Sequence, residues 1–148
     1  REVANFISNE NLTPVAWDEA SDFEVNKNTI IQWWRCLKPK VLKHALNNNY
    51  QVILSPANFV YLDYPQAQGE GGAHWEGLNN GPNTMKSIYT WNYIPEGISE
   101  EAKHQIVGIE AALWTEFIAT EKRLEYMAYP RLLAIAEKSW TSEQNLNY

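Results

Sequence analysis

The chain has 148 residues, 45% of them hydrophobic and 20% charged, with a formal net charge of −6. That length holds one domain with a sizeable core, and the acidic balance argues against non-specific binding to nucleic acid or to an anionic membrane. No apolar run approaches the roughly 20 residues of a membrane span, and the single cysteine, Cys36, excludes an internal disulfide.

Seven Trp and eight Tyr are many for this length. Indoles stack on the C–H face of a pyranose, but an aromatic core uses them too, and composition does not choose between the two. The sequence opens at Arg1 without a methionine or a signal peptide, as a portion of something longer would.

In chain order, REVANFISNE (1–10) reads as the tail of a helix with Val3, Phe6 and Ile7 on one face. After a turn at 11–14, VAW (15–17) reads as a strand stopped by the acids Asp18 and Glu19. TIIQWW (29–34) is a second strand, followed by a helix, LKPKVLKHALNN (37–48), in which Leu37, Val41, Leu42, Ala45 and Leu46 keep the helical period. QVILS (51–55) is a third strand, ended by Pro56. A long polar loop follows, with the breakers GEGGAHW (69–75) and NNGPN (79–83); its length fits a functional or disordered loop better than a tight connection. TMKSIYTW (84–91) reads as a short helix. QIVGIEAALW (105–114) is a fourth strand. It feeds a long helix from about Glu121 to Trp140, with Leu124, Met127, Ala128, Leu132, Ile135 and Ala136 inward and a kink at Pro130.

Four short apolar strands alternating with helical or looped material read as successive β/α units on a parallel sheet. In such sheets chemistry gathers at the carboxyl ends of the strands. Here those ends carry Trp17; Trp33 and Trp34; Tyr61 and Asp63; and Trp114 and Glu116. Every strand brings an aromatic group to the same edge and two bring a carboxylate beside it, which core packing alone does not explain. Other residue types point nowhere. His44, His74 and His104 lack metal-ligand spacing, Cys36 has no base close in sequence and reads as a small buried apolar group, and Glu110 fits a polar interior layer. Gly69, Gly71 and Gly72 predict a mobile loop, with no strand-to-helix turn to make a phosphate cradle.

The segments AWDEA (16–20), SPANFVYLDYPQ (55–66), GIEAALWTEF (108–117) and YPRLLAIAEKSW (129–140) resemble, in order and spacing, the glycoside hydrolase family 20 β-N-acetylhexosaminidases. The resemblance runs from about Val15 to Trp140. It implies an α/β fold, half of a TIM (β/α)8 barrel, with parallel strands five to eight and their helices. Residues 1–148 would then be the C-terminal half of the catalytic domain, as a single fragment. The family's catalytic Asp-Glu pair follows strand four in a motif resembling His-x-Gly-Gly-Asp-Glu, which these residues do not contain. Asp18-Glu19 sits instead after the strand matching number five and reads as scaffold and loop closure.

The implied reaction is hydrolysis of terminal N-acetylglucosamine or N-acetylgalactosamine with retention, the sugar's own acetamido oxygen attacking C1. By this resemblance Tyr61 is catalytic, steadying the oxazolinium ring. Trp17, Trp34 and Trp114 line the pocket around the acetamido methyl, with core packing as the plainer reading of each, and Trp33 alternates away into the core. Asp63 and Glu116 accept from the sugar 4- and 6-hydroxyls, unless they form ordinary ion pairs; Trp75 lies near the 6-hydroxyl. The implied partners are N-acetylhexosamine-containing glycans, with no metal, cofactor, nucleic acid or membrane. Family members are secreted, periplasmic or lysosomal, so the compartment stays open. Without the other half the chain is expected to be inactive and to self-associate through exposed sheet edges. A non-catalytic N-acetyl-sugar-binding module and a structural half-barrel are the alternatives.

Overall fold

β-Branched residues dominate the strands: Val15, Ile30 and Ile31, Val52 and Ile53, and Ile106, Val107 and Ile109. That composition suits parallel strands covered on both faces. The computed structural model describes residues 2–74, 81–92, 94 and 96–148. In chain order the elements are α1 (Glu2–Asn9), β1 (Val15–Trp17), β2 (Ile30–Trp33), α2 (Pro39–Asn47), β3 (Val52–Leu54), α3 (Ala57–Val60), α4 (Met85–Thr90), α5 (Glu100–Lys103), β4 (Ile106–Ile109), α6 (Glu121–Ala128) and α7 (Arg131–Trp140). The strands form one sheet in the order β1-β2-β3-β4. The pairs β1–β2 and β2–β3 are parallel, with Val15 opposite Ile30 and Ile31 opposite Val52. Sequence-neighbour strands adjacent and parallel, with helical connections, are the α/β architecture the sequence predicts.

The chain divides into two compact units, Arg1–Leu54 with Tyr93–Gly108, and Ser55–Asn92 with Ile109–Tyr148. In the first, β2 is the inner strand: Ile31, Gln32 and Trp33 are all buried, at 0%, 7% and 4% exposure. Trp33 is therefore core, as the strand alternation predicts. Helix α2 begins with Pro39, whose missing N–H is harmless in the first turn, and lays Leu42, Ala45 and Leu46 on β2 and β3. It begins two residues later than the apolar period indicates, so Leu37 stays exposed. Its far end is closed by Asn48, and Asn49 takes a left-handed turn at φ 60.

The loop after β1 is held by a buried acid. Asp18, at 0% exposure, accepts from the main-chain N–H groups of Trp34 and Arg35 at 3.2 and 3.1 Å and pairs with the Arg35 guanidinium. Burial is the largest influence on Asp18 and raises its proton affinity, while the Arg35 bonds oppose that.

In the second unit Thr84 caps α4 and Thr120 caps α6, each side-chain oxygen accepting from the N–H three residues on. The single long helix expected from Glu121 to Trp140 is two helices. Tyr129, before Pro130, adopts extended angles of φ −105 and ψ 146, because proline disfavours helical geometry in the residue that precedes it. The helical period does not run through that break. Met127, Ala128 and Ile135 are buried as expected, whereas Leu124 and Ala136 are exposed. The fourth strand is also shorter than QIVGIEAALW: it ends at Ile109, and the chain pairs again only at Ala112, which bridges Tyr61.

Replacing Arg35 with Met leaves the buried Asp18 carboxylate without its cation, a change that costs about 3–5 kcal/mol. Urea denaturation of R35M is expected to show a loss of that order near neutral pH, and the double variant D18N/R35M to recover part of it.

Candidate functional site

The residues singled out from the sequence divide between the two units. In the first, β1 ends in Trp17, which is 37% exposed, and β2 leads into half-buried Trp34. Glu19 turns back and its two oxygens accept from the Trp34 indole N–H at 3.0 and 3.1 Å. Asp18 and Glu19 are thus both engaged at the end of β2, one on its backbone and one on its indole, which is the scaffold role their position predicts.

In the second unit four residues come together. After β3 the chain forms α3, and at Tyr61 it bridges Ala112: Leu62 donates to the Ala112 carbonyl at 2.7 Å and Ala112 to the Val60 carbonyl at 3.0 Å. This pairing brings YLD beside LWTE. The Tyr61 and Trp114 ring centroids are 6.4 Å apart and tilted by 51°. The Trp114 main-chain N–H bonds to the Asp63 carboxylate, and Glu116 is close enough to act on Asp63 through its charge.

Their surroundings differ sharply. Tyr61 and Asp63 are 5% and 1% exposed, whereas Trp114 is 41% exposed and Glu116 lies open. Burial pushes the Asp63 carboxyl up to about 6; main-chain N–H groups of Asp63 and Trp114 oppose this, Glu116 adds to it, and Arg131 pulls back. The Asp63 Oδ1 atom finds no partner among the described residues. An acceptor kept dry beside an exposed indole face and an exposed carboxylate suits a ligand with hydroxyl donors and one apolar face.

Two residues absent from the sequence-level candidates hold this group from behind. Arg131, fully buried, donates to the carbonyls of Leu62 (2.6 Å), Tyr64 (2.9 Å), Asn83 (3.0 Å) and Met127. Asn83, also buried, donates to the carbonyls of Tyr61 (3.1 Å) and Ala57 (3.3 Å). A cation on an otherwise apolar helical stretch, PRLLAIA, is the sequence signal for the first. For the second there is little beyond an asparagine at the end of a breaker.

The glycine-rich loop also differs from expectation. A Cβ on Gly72 would stand 2.8 Å from the Asp63 carbonyl, so only glycine allows this approach. Ala73 donates to that same carbonyl at 2.9 Å, Arg123 donates to the Gly71 carbonyl, and the Tyr126 hydroxyl donates to Glu70. These bonds join the loop to Asp63 and to α6 as far as Ala73. Trp75 lies outside the described residues. Among the described residues no group of His, Cys, Asp and Glu has the makings of a metal site, and no helix is long and apolar enough to cross a membrane.

A parallel sheet with helical connections, carrying indoles and acids at its strand ends, places the chain among the β/α-repeat proteins. A model of the glycosyl hydrolase family 20 catalytic domain matches residues 1–143. The chain belongs to that family. It is 30% identical over 128 residues to a β-hexosaminidase of Porphyromonas gingivalis, covering 86% of this chain and 16% of that protein. To a β-hexosaminidase of Vibrio furnissii it is 33% identical over 126 residues, 82% of this chain and 20% of the other. The crystal structure of a GH20 exo-β-N-acetylglucosaminidase from Vibrio harveyi with N-acetylglucosamine aligns at TM-score 0.85 and 30% identity, over 100% of this chain and 23% of that one. The chain thus spans about a fifth of the length of these relatives.

The raised proton affinity of Asp63 gives a pH dependence with a defined sign. The folded state holds its proton up to about 6, the unfolded chain only to 3.8, so stability is greatest below 3.8 and falls as pH rises through 6. The contribution is about 3 kcal/mol at most. Urea denaturation of wild type and D63N between these limits should give curves that converge at the acidic end and separate towards pH 7, with D63N the more stable.

Proposed function

We propose that this chain holds N-acetylhexosamine for a retaining, substrate-assisted β-N-acetylhexosaminidase, as strands five to eight of its barrel. The carrying observation is the grouping of Tyr61, Asp63, Trp114 and Glu116 by the Tyr61–Ala112 bridge, with Trp114 presenting an exposed face beside two acceptors of different burial. The Vibrio harveyi relative, crystallised with N-acetylglucosamine, supports the ligand class.

In this reading the acetamido carbonyl oxygen attacks C1 as the glycosidic bond breaks. The leaving oxygen takes a proton from an acid outside these 148 residues. The cyclic oxazolinium ion that forms is opened by water, which restores the acetamide and the β-configuration. Tyr61 donates its phenolic proton in a hydrogen bond to the acetamido oxygen, a fixed dipole aimed where the ring closes. Trp114 packs its indole on the acetamido methyl; the roles of Trp17 and Trp34, in the other unit, rest on the family resemblance alone, and there Glu19 accepts from the Trp34 indole N–H. Holding the methyl aims the oxygen at C1, which is catalysis by positioning. Glu116, exposed, accepts from an outer sugar hydroxyl; Asp63, dry and carrying an unpartnered Oδ1 among the described residues, accepts from the hydroxyl that reaches deepest. The Trp75 assignment, near the 6-hydroxyl, rests on resemblance alone.

A second reading has a specific observation behind it. The 148 residues carry no match to the family's Asp-Glu motif, so on their own they fit a sugar-binding module. The two readings separate in one comparison. The chain alone is expected to release no chromophore from a chromogenic N-acetylglucosaminide, while N-acetylglucosamine at millimolar concentration shifts its Trp114 indole resonance. In the full-length polypeptide carrying these residues, Y61F should lower kcat by about 10²–10³-fold with KM little changed, and W114A should raise KM. Hydrolysis by the 148 residues alone, or an unaltered kcat in Y61F, would count against the proposal.

A further inference from the structure

We propose that Arg131 is a positioning residue for Asp63, its guanidinium straddling that residue by bridging the carbonyls on either side. The bonds are Nη2 to Leu62 at 2.6 Å and Nη1 to Tyr64 at 2.9 Å. The carbonyls between and beside them are held too: Asp63 by the Ala73 N–H at 2.9 Å, and Tyr61 by the Asn83 side-chain amide at 3.1 Å. Arg131 Nη1 also donates to the Asn83 carbonyl at 3.0 Å, which joins the two holders. Every carbonyl of the run Tyr61–Tyr64 therefore has a donor, and three of the four bonds come from these two buried side chains.

The arrangement acts on Asp63 as well as on the backbone around it. Arg131 is fully buried, yet no carboxylate oxygen is among its hydrogen-bond acceptors; those described are main-chain carbonyls. An ammonium group in its place has three donors on one nitrogen and lacks the rigid spacing of Nη1 and Nη2 that matches these two carbonyls. The cation sits beside Asp63 without a hydrogen bond to it, so the carboxylate feels the charge while Oδ1 keeps its accepting capacity for something else. Around the pair, Glu116 acts on Asp63 from the LWTE segment, and Glu70, Tyr126 and Arg123 act on Arg131 from the glycine-rich loop and α6. Arg131 thus fixes the place of Asp63 through the flanking carbonyls and favours its charged form against the larger effect of burial. That this serves a sugar rests on the function proposed above; the clamp itself does not.

The test uses R131K, which keeps the charge, and R131M, which removes it, with D63N to assign the Asp63 carboxyl resonance in a 13C titration. Kinetics on a chromogenic N-acetylglucosaminide are measured in the full-length polypeptide carrying these residues. Asp63 is proposed to bind ground and transition states alike, so R131K should raise KM about tenfold, the equivalent of one charge-assisted hydrogen bond, and leave kcat in place. Its Asp63 midpoint should stay near that of wild type. In R131M the midpoint should climb, because the cation that favours the carboxylate is gone. The proposal is overturned if R131K keeps the wild-type KM and only melts earlier, or if R131M folds and leaves the Asp63 midpoint where it was. Should R131M not fold, the KM of R131K decides. Should no form, wild type included, hydrolyse or bind the sugar, the functional reading falls, and the Asp63 titration in R131M still decides the clamp.

Discussion

A guanidinium without water must find acceptors elsewhere, and Arg131 finds them in the main chain. Its burial lowers its proton affinity to about 10, which still leaves it charged at neutral pH. The segments that supply its acceptors are therefore fixed relative to it: the Tyr61–Tyr64 run, the residue before the α4 cap, and the last turn of α6. Losing any of them leaves a buried charge short of a partner, which is more costly than losing a neutral bond. The break at Tyr129–Pro130 belongs to the same constraint. It lets the chain turn between Met127 and Arg131, so that the first residue of α7 reaches back to a carbonyl of α6. A continuous helix of the kind expected from the period would aim position 131 differently.

The first unit solves the converse problem with the converse charge. There the buried ion is Asp18, its partners are main-chain N–H groups of Trp34 and Arg35, and a cation completes the set. An anion gathers donors where one strand ends; a cation gathers acceptors where the chain runs on past another. In both units the ion does not itself carry the proposed chemistry. It fixes backbone next to a residue that does: Trp34 in one, Asp63 in the other. Strand ends of a parallel sheet are where the regular ladder stops and main-chain groups lose partners. A buried charge with several hydrogen bonds is an economical way to satisfy them and to hold an otherwise irregular stretch in one conformation.

This division explains what was legible in the sequence. The strands VAW, IIQW, VIL and IVGI are dense in β-branched and aromatic residues and stand out locally, and so does the amphipathic α2. The strand-end candidates follow from indoles and acids that stand where the apolar runs stop, and the structure brings Tyr61 and Asp63 near Trp114 and Glu116. The holders were not legible in this way. Arg131 lies 68 residues from Asp63 and Asn83 lies 20, and an arginine or asparagine carries no local sign that main-chain carbonyls will surround it. Gly72 was misread for a related reason: its role is to leave room for the Asp63 carbonyl, a demand set by a neighbour in space. The long helix failed at Pro130, where the apolar pattern continues but proline's effect on Tyr129 outweighs it.

The charge of Glu116 acting on Asp63 also bears on the ligand class proposed above. Two acids close together repel, and here the repulsion and burial together raise the affinity of Asp63 for a proton. A divalent cation would relieve that, but it needs more oxygen ligands than two acids provide, and no further acid completes a metal group among the described residues. The positive charge that Asp63 does feel is already built in, as Arg131. A neutral ligand with hydroxyl donors asks for no change in this balance. It can donate to a buried carboxylate without bringing a charge into a dry site, and its ring can lie on the exposed face of Trp114. A sugar meets all of these conditions at once, and its hydroxyl would give Asp63 Oδ1 the donor that the described residues withhold.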